Sequence, residues 1–372
     1  MRILLIGEYS NVHATLAEGL RALGKQVTVV SNGDFWKDYP RDIDLSRRPG
    51  KWGGLAYLAK TMATLHKLRG YDVVQLINPM FLELKAERIA PIYKYLRKHN
   101  KKVFLGAFGM DYYWVHENIT RMPLRYSDFN IGNRLRDDEP AMRERRDWIG
   151  TAKESLNKMI AEDCDGIIAG LYEYWACYGP LFPHKTTFIP FPIKPKTQPM
   201  AHQEGSAPHP LRLFIGISKG RSAYKGTDIM LEAAQAIKTK YPHLVELRIA
   251  EGIPFNQYTQ IMNGSDAILD QLYSYTPSMN PLEAMSRGII CVGGGEPENY
   301  DILGDNDLRP IINVEPTRES VYNALEWMAT HLDEVPRLQA ESIAYTERYH
   351  HYVKVAQQYL DFYQSTSRAT PK

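Results

Sequence analysis

The chain has 372 residues, a formal net charge of +2 at pH 7 and 44% hydrophobic residues, which predicts two globular domains with a core each. The near-neutral charge points away from nucleic-acid partners, and no apolar run approaches the roughly 20 residues that a membrane helix needs. The three cysteines, Cys164, Cys177 and Cys291, show neither a disulfide framework nor a metal-binding spacing, and they indicate a cytoplasmic protein.

The first half of the chain alternates strand and helix patterns. Met1 leads directly into an apolar strand over residues 2–6, so we expect no signal peptide. A helix with an apolar face at 13–23 and a strand at 26–30 complete a βαβ unit, which favours a parallel sheet. The remaining predictions are helices at 51–69, 82–99 and 138–163, strands at 72–77, 103–105, 166–169 and 187–189, and irregular segments at 33–51 and 116–137.

The alternation restarts after a segment rich in proline, glutamine, histidine and serine, which we expect to link two domains over residues 193–210. A short helix is expected to begin at Pro281, because proline is favoured in the first turn of a helix. The other elements predicted beyond the linker are strands at 211–215, 244–249, 267–269, 289–292 and 311–312, and helices at 227–240, 255–262, 317–331 and 336–363.

The short helix at Pro281 and the turn before it carry the clearest sign of a ligand site. A helix start leaves backbone N–H groups without helical partners, so those of Met279 and Asn280 can face an anion. Glu283 lies in the first turn, where its carboxylate either accepts hydrogen bonds from sugar hydroxyls or only favours the helix dipole. Both interpretations remain open at this point.

Three cations follow the strand at 211–215, namely Lys219, Arg221 and Lys225, with Gly220 among them. Ligands of open parallel sheets bind beyond the carboxyl ends of the strands, and two or three cations there suit a diphosphate. A solvated basic loop is the plainer alternative.

Candidate acceptor-binding residues lie in the first half of the chain. His13 heads the first helix, and Asp111 and Tyr112 follow the strand at 103–105, again where ligands of parallel sheets bind. The alternatives are a structural histidine, a turn-forming aspartate and a packed aromatic ring.

Neither a metal nor a redox cofactor is predicted. Asp-x-Asp strings occur at 42–44, 163–165 and 305–307, but such tripeptides arise often by chance, and cations are already available for a diphosphate. Neither half of the chain carries the G-x-G-x-x-G fingerprint, which argues against a nicotinamide dehydrogenase.

The segment 283–288, with the sequence EAMSRG, resembles the second half of the C-terminal sugar-nucleotide motif of the retaining GT-B glycosyltransferases of family 4. Lys225-Gly226 is similar to the donor-phosphate motif of that family, although Arg221 lies four residues before the lysine where the family usually has five. The first glutamate of the sugar-nucleotide motif would fall at position 275, where this chain has Tyr275.

The resemblance implies an α/β fold of the GT-B type, with two Rossmann-like domains whose parallel sheets face a cleft. In that architecture the C-terminal helix crosses back to the first domain. We therefore expect an N-terminal acceptor-binding domain over residues 1–192, a linker over 193–210, a nucleotide-sugar-binding domain over 211–345 and a returning helix over 346–372.

The resemblance also implies a reaction, the transfer of a sugar from a nucleoside diphosphate sugar to a hydroxyl of a glycan or glycolipid, with retention. The protein would act in polysaccharide or glycoconjugate synthesis and need no cofactor, with peripheral contact to the inner face of the membrane left open. The implied catalytic residues are Glu283, Lys225 and Arg221. The implied donor-binding residues are Lys219, Gly220, Tyr275, Ser278, Met279, Asn280 and Glu283, and the acceptor-binding residues are His13, Asp111 and Tyr112.

Tyr275 motivates two alternatives, because the glutamate that it replaces contacts the donor sugar in the family. One is a GT-B scaffold that binds a nucleotide sugar with little transfer. The other is a sugar-nucleotide epimerase, which would need no acceptor.

Overall fold

The chain folds as two compact units in the computed structural model. The first consists of Met1–Pro123, Arg143–Pro192 and Tyr352–Lys372, and the second of Leu124–Met142 and Ile193–His351. The structure describes residues 1–195, 209–217, 220, 222–253, 255–305 and 307–369.

A parallel sheet of seven strands forms the centre of the first unit within the described ranges, in the spatial order β3-β2-β1-β4-β5-β8-β9. Its core strands carry near-continuous apolar sequence, as expected when helices cover both faces of a parallel sheet. The strands are β1 Arg2–Ile6, β2 Gln26–Ser31, β3 Ile43–Asp44, β4 Val73–Leu76, β5 Lys102–Ala107, β8 Gly166–Ala169 and β9 Thr186–Phe188.

The helices of this unit include the one that ends the chain. It packs on the first helix so closely that a Cβ atom on Gly19 would lie 2.3 Å from the carbonyl oxygen of Tyr352. The helices are α1 Val12–Ala22, α2 Gly50–Thr64, α3 Ala86–His99, α4 Tyr112–Thr120, α5 Glu139–Trp148 (which spans the boundary at residue 142), α6 Ala152–Asp163, α7 Tyr172–Tyr178 and α15 Tyr352–Ser365.

The second unit has a parallel sheet of five strands among its described residues, in the order β11-β10-β12-β13-β14. Its apolar core includes Leu213, Ile215, Met230 and Leu325, each fully buried. The strands are β10 Leu211–Ile217, β11 Val245–Glu251, β12 Ala267–Leu269, β13 Ile290–Gly293 and β14 Ile312–Asn313, and a separate antiparallel pair is formed by β6 Asn130–Ile131 and β7 Arg134–Leu135.

Seven helices of the second unit lie within the described chain. They are α8 Ser222–Lys225, α9 Thr227–Lys240, α10 Phe255–Asn263, α11 Met279–Met285, α12 Pro297–Leu303, α13 Arg318–Thr330 and α14 Val335–Tyr345. A search of the described helices finds none that is both long enough and apolar enough to cross a bilayer.

Several elements differ from the sequence expectation. The segment at 116–137 begins inside α4, which Asp111 caps by accepting a hydrogen bond from the Trp114 N–H at 2.8 Å. The single helix expected at 138–163 is two helices, α5 and α6, because Gly150 between them has a φ of +71°, which a continuing helix does not allow.

The helix expected at 336–363 is interrupted as well. A π-helical turn, Thr346–His350, separates α14 from α15, and the carbonyl of His350 accepts a hydrogen bond from the Ile193 N–H at 2.6 Å instead of continuing the ladder. The C-terminal segment of the first unit therefore starts at Tyr352, whereas the returning helix was expected from residue 346. The second unit also includes Leu124–Met142, which was expected to belong to the first domain.

Candidate functional site

Lys225 lies at the carboxyl edge of the second sheet, in the connection from β10 to α9. Its carbonyl oxygen accepts a hydrogen bond from the Leu272 N–H at 2.9 Å, which ties the loop after β10 to the loop after β12. Gly220, earlier in the same connection, is exposed and has a φ of +76°. The other two predicted cations, Lys219 and Arg221, lie outside the described residues.

Gly226 is required by the geometry that follows Lys225. Its φ is +72°, and a Cβ atom on it would lie 2.9 Å from the Cβ of Leu272. Both the left-handed backbone and the close approach exclude a larger residue. The Lys-Gly pair therefore lets α8 pass directly into α9 while Lys225 stays at the edge of the sheet.

A buried carboxyl group interacts with this lysine. Asp270 is the first residue after β12 and is 7% exposed. Burial raises the pKa of Asp270, and the positive charge of Lys225 opposes that rise. Asp270 was not among the predicted site residues, although its position directly after a buried strand, at the edge that binds ligands, was a usable signal.

Glu283 lies on the seven-residue helix α11, with its side chain 34% exposed. Its carboxylate accepts a hydrogen bond from the guanidinium of Arg287 one turn later, and Arg287 also donates to the side-chain oxygen of Asn263. Arg287 is itself 5% exposed. The buried arginine fixes the direction of a carboxylate that remains open to solvent.

The N-terminus of α11 is formed by Ser278 as the N-cap, with Met279 and Asn280 next. The N–H groups of Met279 and Asn280 precede the first helical hydrogen bond, which runs from the Leu282 N–H to the Ser278 carbonyl at 3.1 Å. The side-chain amide of Asn280 donates to the Tyr258 hydroxyl at 2.9 Å. Because α11 is short, these N–H groups would act as individual donors more than through a helix dipole.

Tyr275 is buried and contacts the segment Leu124–Met142, which we call the β6–β7 segment. The Tyr275 hydroxyl accepts a hydrogen bond from the Arg125 N–H at 2.6 Å, and the Arg125 guanidinium lies 4.8 Å from the centre of the Tyr275 ring. The Tyr126 ring lies 4.9 Å from it. These contacts give Tyr275 a structural role, and its contact with a donor stays a prediction.

The β6–β7 segment also holds the helix that carries Lys225. The guanidinium of Arg136 lies 3.8 Å from the centre of the Tyr273 ring and donates to the Ala223 carbonyl at 3.1 Å. The Tyr224 hydroxyl donates to the carboxylate of Asp128 at 2.7 Å. Ala223 and Tyr224 of α8 are thus both held by residues of the β6–β7 segment.

Glu296 closes the same cluster after the glycine-rich turn at 293–295. Its carboxylate accepts hydrogen bonds from the Tyr126 hydroxyl and, at 2.7 Å, from the Arg125 guanidinium. None of the three glycines has a positive φ, but a Cβ atom on Gly294 would lie 2.2 Å from the carbonyl oxygen of Ser274. Close packing of two loops explains Gly294, and a Cβ atom on Gly295 would lie 2.7 Å from the side chain of Ile311.

His13, in the first unit, is fully buried at the start of α1. Its Nδ1 lies 2.8 Å from the Gly7 carbonyl, and burial lowers the pKa of His13 to about 3. The ring is therefore neutral at pH 7, with Nδ1–H as the donor and Nε2 as an acceptor. Among the described residues Nε2 has no hydrogen-bond partner.

Asp111 and Tyr112 are both buried. Besides capping α4, Asp111 accepts a hydrogen bond from the Tyr178 hydroxyl at 2.8 Å, and burial raises the pKa of Asp111 to about 7. The ring of Tyr112 stacks on His116 with ring centres 5.0 Å apart. Each side chain thus has a structural role in the first unit, and a role in acceptor binding stays a prediction for both.

Each unit has a cavity at the carboxyl edge of its sheet. One of about 490 Å³ borders Gly220 in the second unit, and Asp228, Glu232 and Glu251 are among the described residues that line it. The other, of about 180 Å³, opens at the carboxyl ends of β1, β2 and β4 in the first unit. Within the described chain no group of three His, Cys, Asp or Glu side chains is arranged to hold a metal ion.

The fold is that of the GT-B glycosyltransferases. Two structures of HepE from Anabaena, one with UDP and glucose and one with UDP-glucose, match 98% of this chain and 100% of theirs, with TM-scores of 0.59 and 0.60 at 14% and 13% identity. Sucrose-phosphate synthase from Thermosynechococcus elongatus matches with a TM-score of 0.60 at 14% identity, over 98% of both chains.

A third solved protein, WaaG, a glycosyltransferase involved in lipopolysaccharide biosynthesis, matches 96% of this chain and 99% of its own with a TM-score of 0.55 at 14% identity. No protein-family model and no curated relative matches the sequence. At these identities the similarity establishes the expected α/β GT-B fold.

Proposed function

We propose that this protein transfers a hexosyl group from a nucleoside diphosphate sugar to a hydroxyl acceptor, with retention, in the synthesis of a polysaccharide or glycoconjugate. The observation that carries the proposal is the position of Lys225 and Glu283 on the carboxyl edge of the second sheet, where GT-B and other open parallel sheets bind ligands. The likeness of the fold to HepE in complex with UDP-glucose supports a UDP-sugar as the first donor to test.

Lys225 would neutralise the diphosphate as it leaves. Charge that develops on a leaving group is stabilised best by cations that are already in place, because no reorganisation is then needed during the reaction. The bond between Leu272 and the Lys225 carbonyl and the contacts of α8 with Arg136 supply that preorganisation. We propose that Arg221 and Lys219 add charge to the same site.

Glu283 would hold the ribose of the nucleotide. A carboxylate that is partly exposed and fixed by a buried arginine is suited to accept two hydrogen bonds from adjacent hydroxyls. Arg287 would act through Glu283 and is a positioning residue. The N–H groups of Met279 and Asn280 would add individual hydrogen bonds to a phosphate oxygen.

The proposed reaction needs no protein base. The bond between the anomeric carbon and the diphosphate oxygen breaks, and the acceptor oxygen bonds to that carbon on the same face. The proton of the acceptor hydroxyl passes to an oxygen of the departing diphosphate, so charge and atoms balance.

A second candidate function, nucleotide-sugar binding with little transfer, is favoured by one observation. The residue at position 275 is a tyrosine whose hydroxyl already accepts a hydrogen bond from the Arg125 N–H. Burial raises the pKa of Tyr275 to about 12, so the hydroxyl is neutral at pH 7 and cannot reproduce the charge of the glutamate found in the family.

One experiment separates these functions. Purified protein is incubated with UDP-, GDP- and ADP-hexoses and a panel of hydroxyl acceptors, and both products are followed by mass spectrometry. Glycosylated acceptor together with free nucleoside diphosphate supports transfer, whereas tight donor binding without turnover supports the binding protein. Absence of binding to every donor contradicts both.

A further inference from the structure

The second sheet ends on one side in β11, an edge strand of seven residues, Val245–Glu251. The other three edge strands of the two large sheets are much shorter, since β3 and β14 have two residues each and β9 has three. Proteins usually keep edge strands short, because the unpaired N–H and C=O groups of an edge can bond to another chain. The length of β11 therefore sets it apart from the other described edges.

Among the described residues, no strand covers the outer side of β11. In the six-stranded order 3-2-1-4-5-6 of dinucleotide-binding sheets, the third strand lies outside the second. Here the chain passes from β11 to β12 through the helix α10, and β12 pairs with β10 instead. In the part of the chain that the structure describes, β10 is thus the one strand that pairs with β11.

The register with β10 shows which backbone groups of β11 point away from the sheet. Leu211 is paired with Val245, and the Leu211 N–H donates to the Leu244 carbonyl at 2.8 Å. Because successive residues of a strand direct their N–H and C=O groups to opposite sides, the even-numbered residues of β11 bond to β10. The N–H and C=O groups of Leu247 and Ile249 consequently point outwards.

The side chains along this edge expose apolar surface. Ile249 is 44% exposed, and Leu244, directly before the strand, is 39% exposed. Leu247 is only partly buried against the core of the second unit, as is Leu231 of the neighbouring helix α9. A strand that paired with β11 would remove part of this apolar surface from water.

The residues from Leu244 to Ala250 are self-complementary in the antiparallel direction, with the sequence LVELRIA. When Leu247 lies opposite Leu247 of a second copy, Glu246 faces Arg248 and Val245 faces Ile249. Cross-strand pairs of opposite charge and pairs of β-branched side chains stabilise antiparallel strands. All the residues with outward N–H and C=O groups are odd-numbered, and in this register they also face one another.

Other registers lose one of these two matches. A shift by one residue places outward groups of one strand opposite inward groups of the other. A shift by two residues restores the backbone match but places Arg248 opposite Arg248, or Glu246 opposite Glu246, and like charges directly opposite are destabilising. The two side chains lie on one face of β11, where the Arg248 guanidinium donates to the Glu246 carboxylate at 2.7 Å. Backbone and charge together therefore select one register.

We propose that β11 pairs with β11 of a second copy of this chain, antiparallel and centred on Leu247, so that the two five-stranded sheets join into one continuous sheet. The pairing is two-fold symmetric, as most homodimers are. An interface of one strand and its flanking side chains is small, which predicts a dissociation constant in the micromolar range. The carboxyl edges of the two sheets then point in opposite directions and both stay open, so the dimer does not depend on the proposed function.

Sedimentation velocity of the full chain over a concentration series measures the pairing, at low salt where charge pairs are least screened. The wild type is expected to shift from the mass of one chain to twice that mass. Glu246→Arg and Arg248→Glu each place like charges opposite each other in both symmetric pairs. Each variant alone is expected to associate at least ~10-fold more weakly than the wild type.

An equimolar mixture of these two variants is the sharpest part of the test. One strand then carries two arginines and the other carries two glutamates, so every charge again faces its opposite. The mixture is expected to form a heterodimer with a dissociation constant within about 3-fold of that of the wild type. No effect of either substitution within its own chain produces this recovery.

One further variant and one control complete the experiment. Ile249→Pro is expected to be monomeric with little change in thermal midpoint, because proline is tolerated at an edge position whose N–H points outwards. Glu341→Arg removes an ion pair of 2.6 Å with Arg337 on α14 and is expected to leave the dimer intact. Should Arg248→Glu unfold, because Arg248 also donates to the Gly264 carbonyl, the Ile249→Pro result decides.

Three results would overturn the proposal. The first is a wild type that stays monomeric up to ~0.1 mM, well above a micromolar dissociation constant. The second is a mixture of folded Glu246→Arg and Arg248→Glu variants that does not associate. The third is a wild-type dimer whose dissociation constant is the same in Ile249→Pro, since that dimer would use another surface.

Discussion

At the scale of single residues, Lys225 has the most direct predicted role. Its backbone is fixed by Leu272 and by the glycine that follows, while its ammonium interacts with the buried Asp270. A lysine held at this edge of the sheet can make charge-assisted hydrogen bonds to a diphosphate.

Lys225→Ala should therefore lower turnover with the preferred donor more than ~10-fold, since charge-assisted hydrogen bonds contribute about 1.5–3 kcal/mol. Steady-state kinetics of nucleotide release provide the measurement. Lys240→Ala is the matched control, because Lys240 is exposed on α9 and pairs with Glu326 at 2.5 Å. Equal kinetics for Lys225→Ala and the wild type would remove the phosphate role from this residue.

The burial of His13 predicts that the stability of the folded protein, and not its catalytic activity, depends on the protonation of this residue. Its folded pKa of about 3 lies below the unfolded value of about 6.5, so the unfolded chain binds the extra proton between these values. The contribution of His13 to the free energy of unfolding is therefore fully present above pH 6.5 and is lost as the pH falls towards 3.

The free energy of unfolding of the wild type, relative to His13→Gln, should fall by about 1.4 kcal/mol per pH unit from about pH 6 to about pH 4. Urea unfolding at a series of pH values measures it. Glu8 titrates in both proteins, so the difference isolates the histidine. A difference that does not change with pH would show that His13 takes up a proton in the folded state.

At the scale of elements, the β6–β7 segment is the feature that the sequence analysis could not find. Its residues lie far in sequence from those that they contact. Arg125 meets Glu296, and Arg136 meets Tyr273 and Ala223. Local propensity and periodicity carry no information about such pairings, so residues 116–137 were expected to be irregular and to stay with the first domain.

Arg136→Ala should weaken UDP binding about 5–10-fold, because α8 loses a charge-assisted hydrogen bond and a cation–π contact. Isothermal titration calorimetry measures the change, with the exposed Arg134→Ala of β7 as the control. Arg136→Lys should recover only part of the affinity, since lysine cannot make the planar stack on Tyr273. Unaltered UDP affinity in Arg136→Ala would mean that α8 holds its position without this segment.

Element prediction succeeded where the signal was local. The buried strands and the helix at 227–240 match the structure closely, since apolar runs and helical periodicity report burial directly. It failed at Gly150 and at Thr346–His350, where helical periodicity continues across a break. The close packing of Gly294 against Ser274 also depends on tertiary structure, which no local pattern reports.

At the scale of the whole molecule, two separate series of alternating strands and helices flank a linker-like segment, which predicted two α/β domains, and the resemblance to the glycosyltransferase family implied the GT-B type. The resemblance at Lys225-Gly226 and at 283–288 supplied the candidate donor residues. The cavity of the first unit was not accessible, because its residues come from the ends of three strands that only the folded sheet brings together.

The central claim is that a nucleoside diphosphate binds at the carboxyl edge of the second sheet. A crystal structure of the full chain with UDP tests it most directly. The account predicts a phosphate oxygen within hydrogen-bond distance of the Lys225 ammonium and the ribose hydroxyls on the Glu283 carboxylate. UDP bound with neither the Lys225 ammonium nor the Glu283 carboxylate in contact would contradict it.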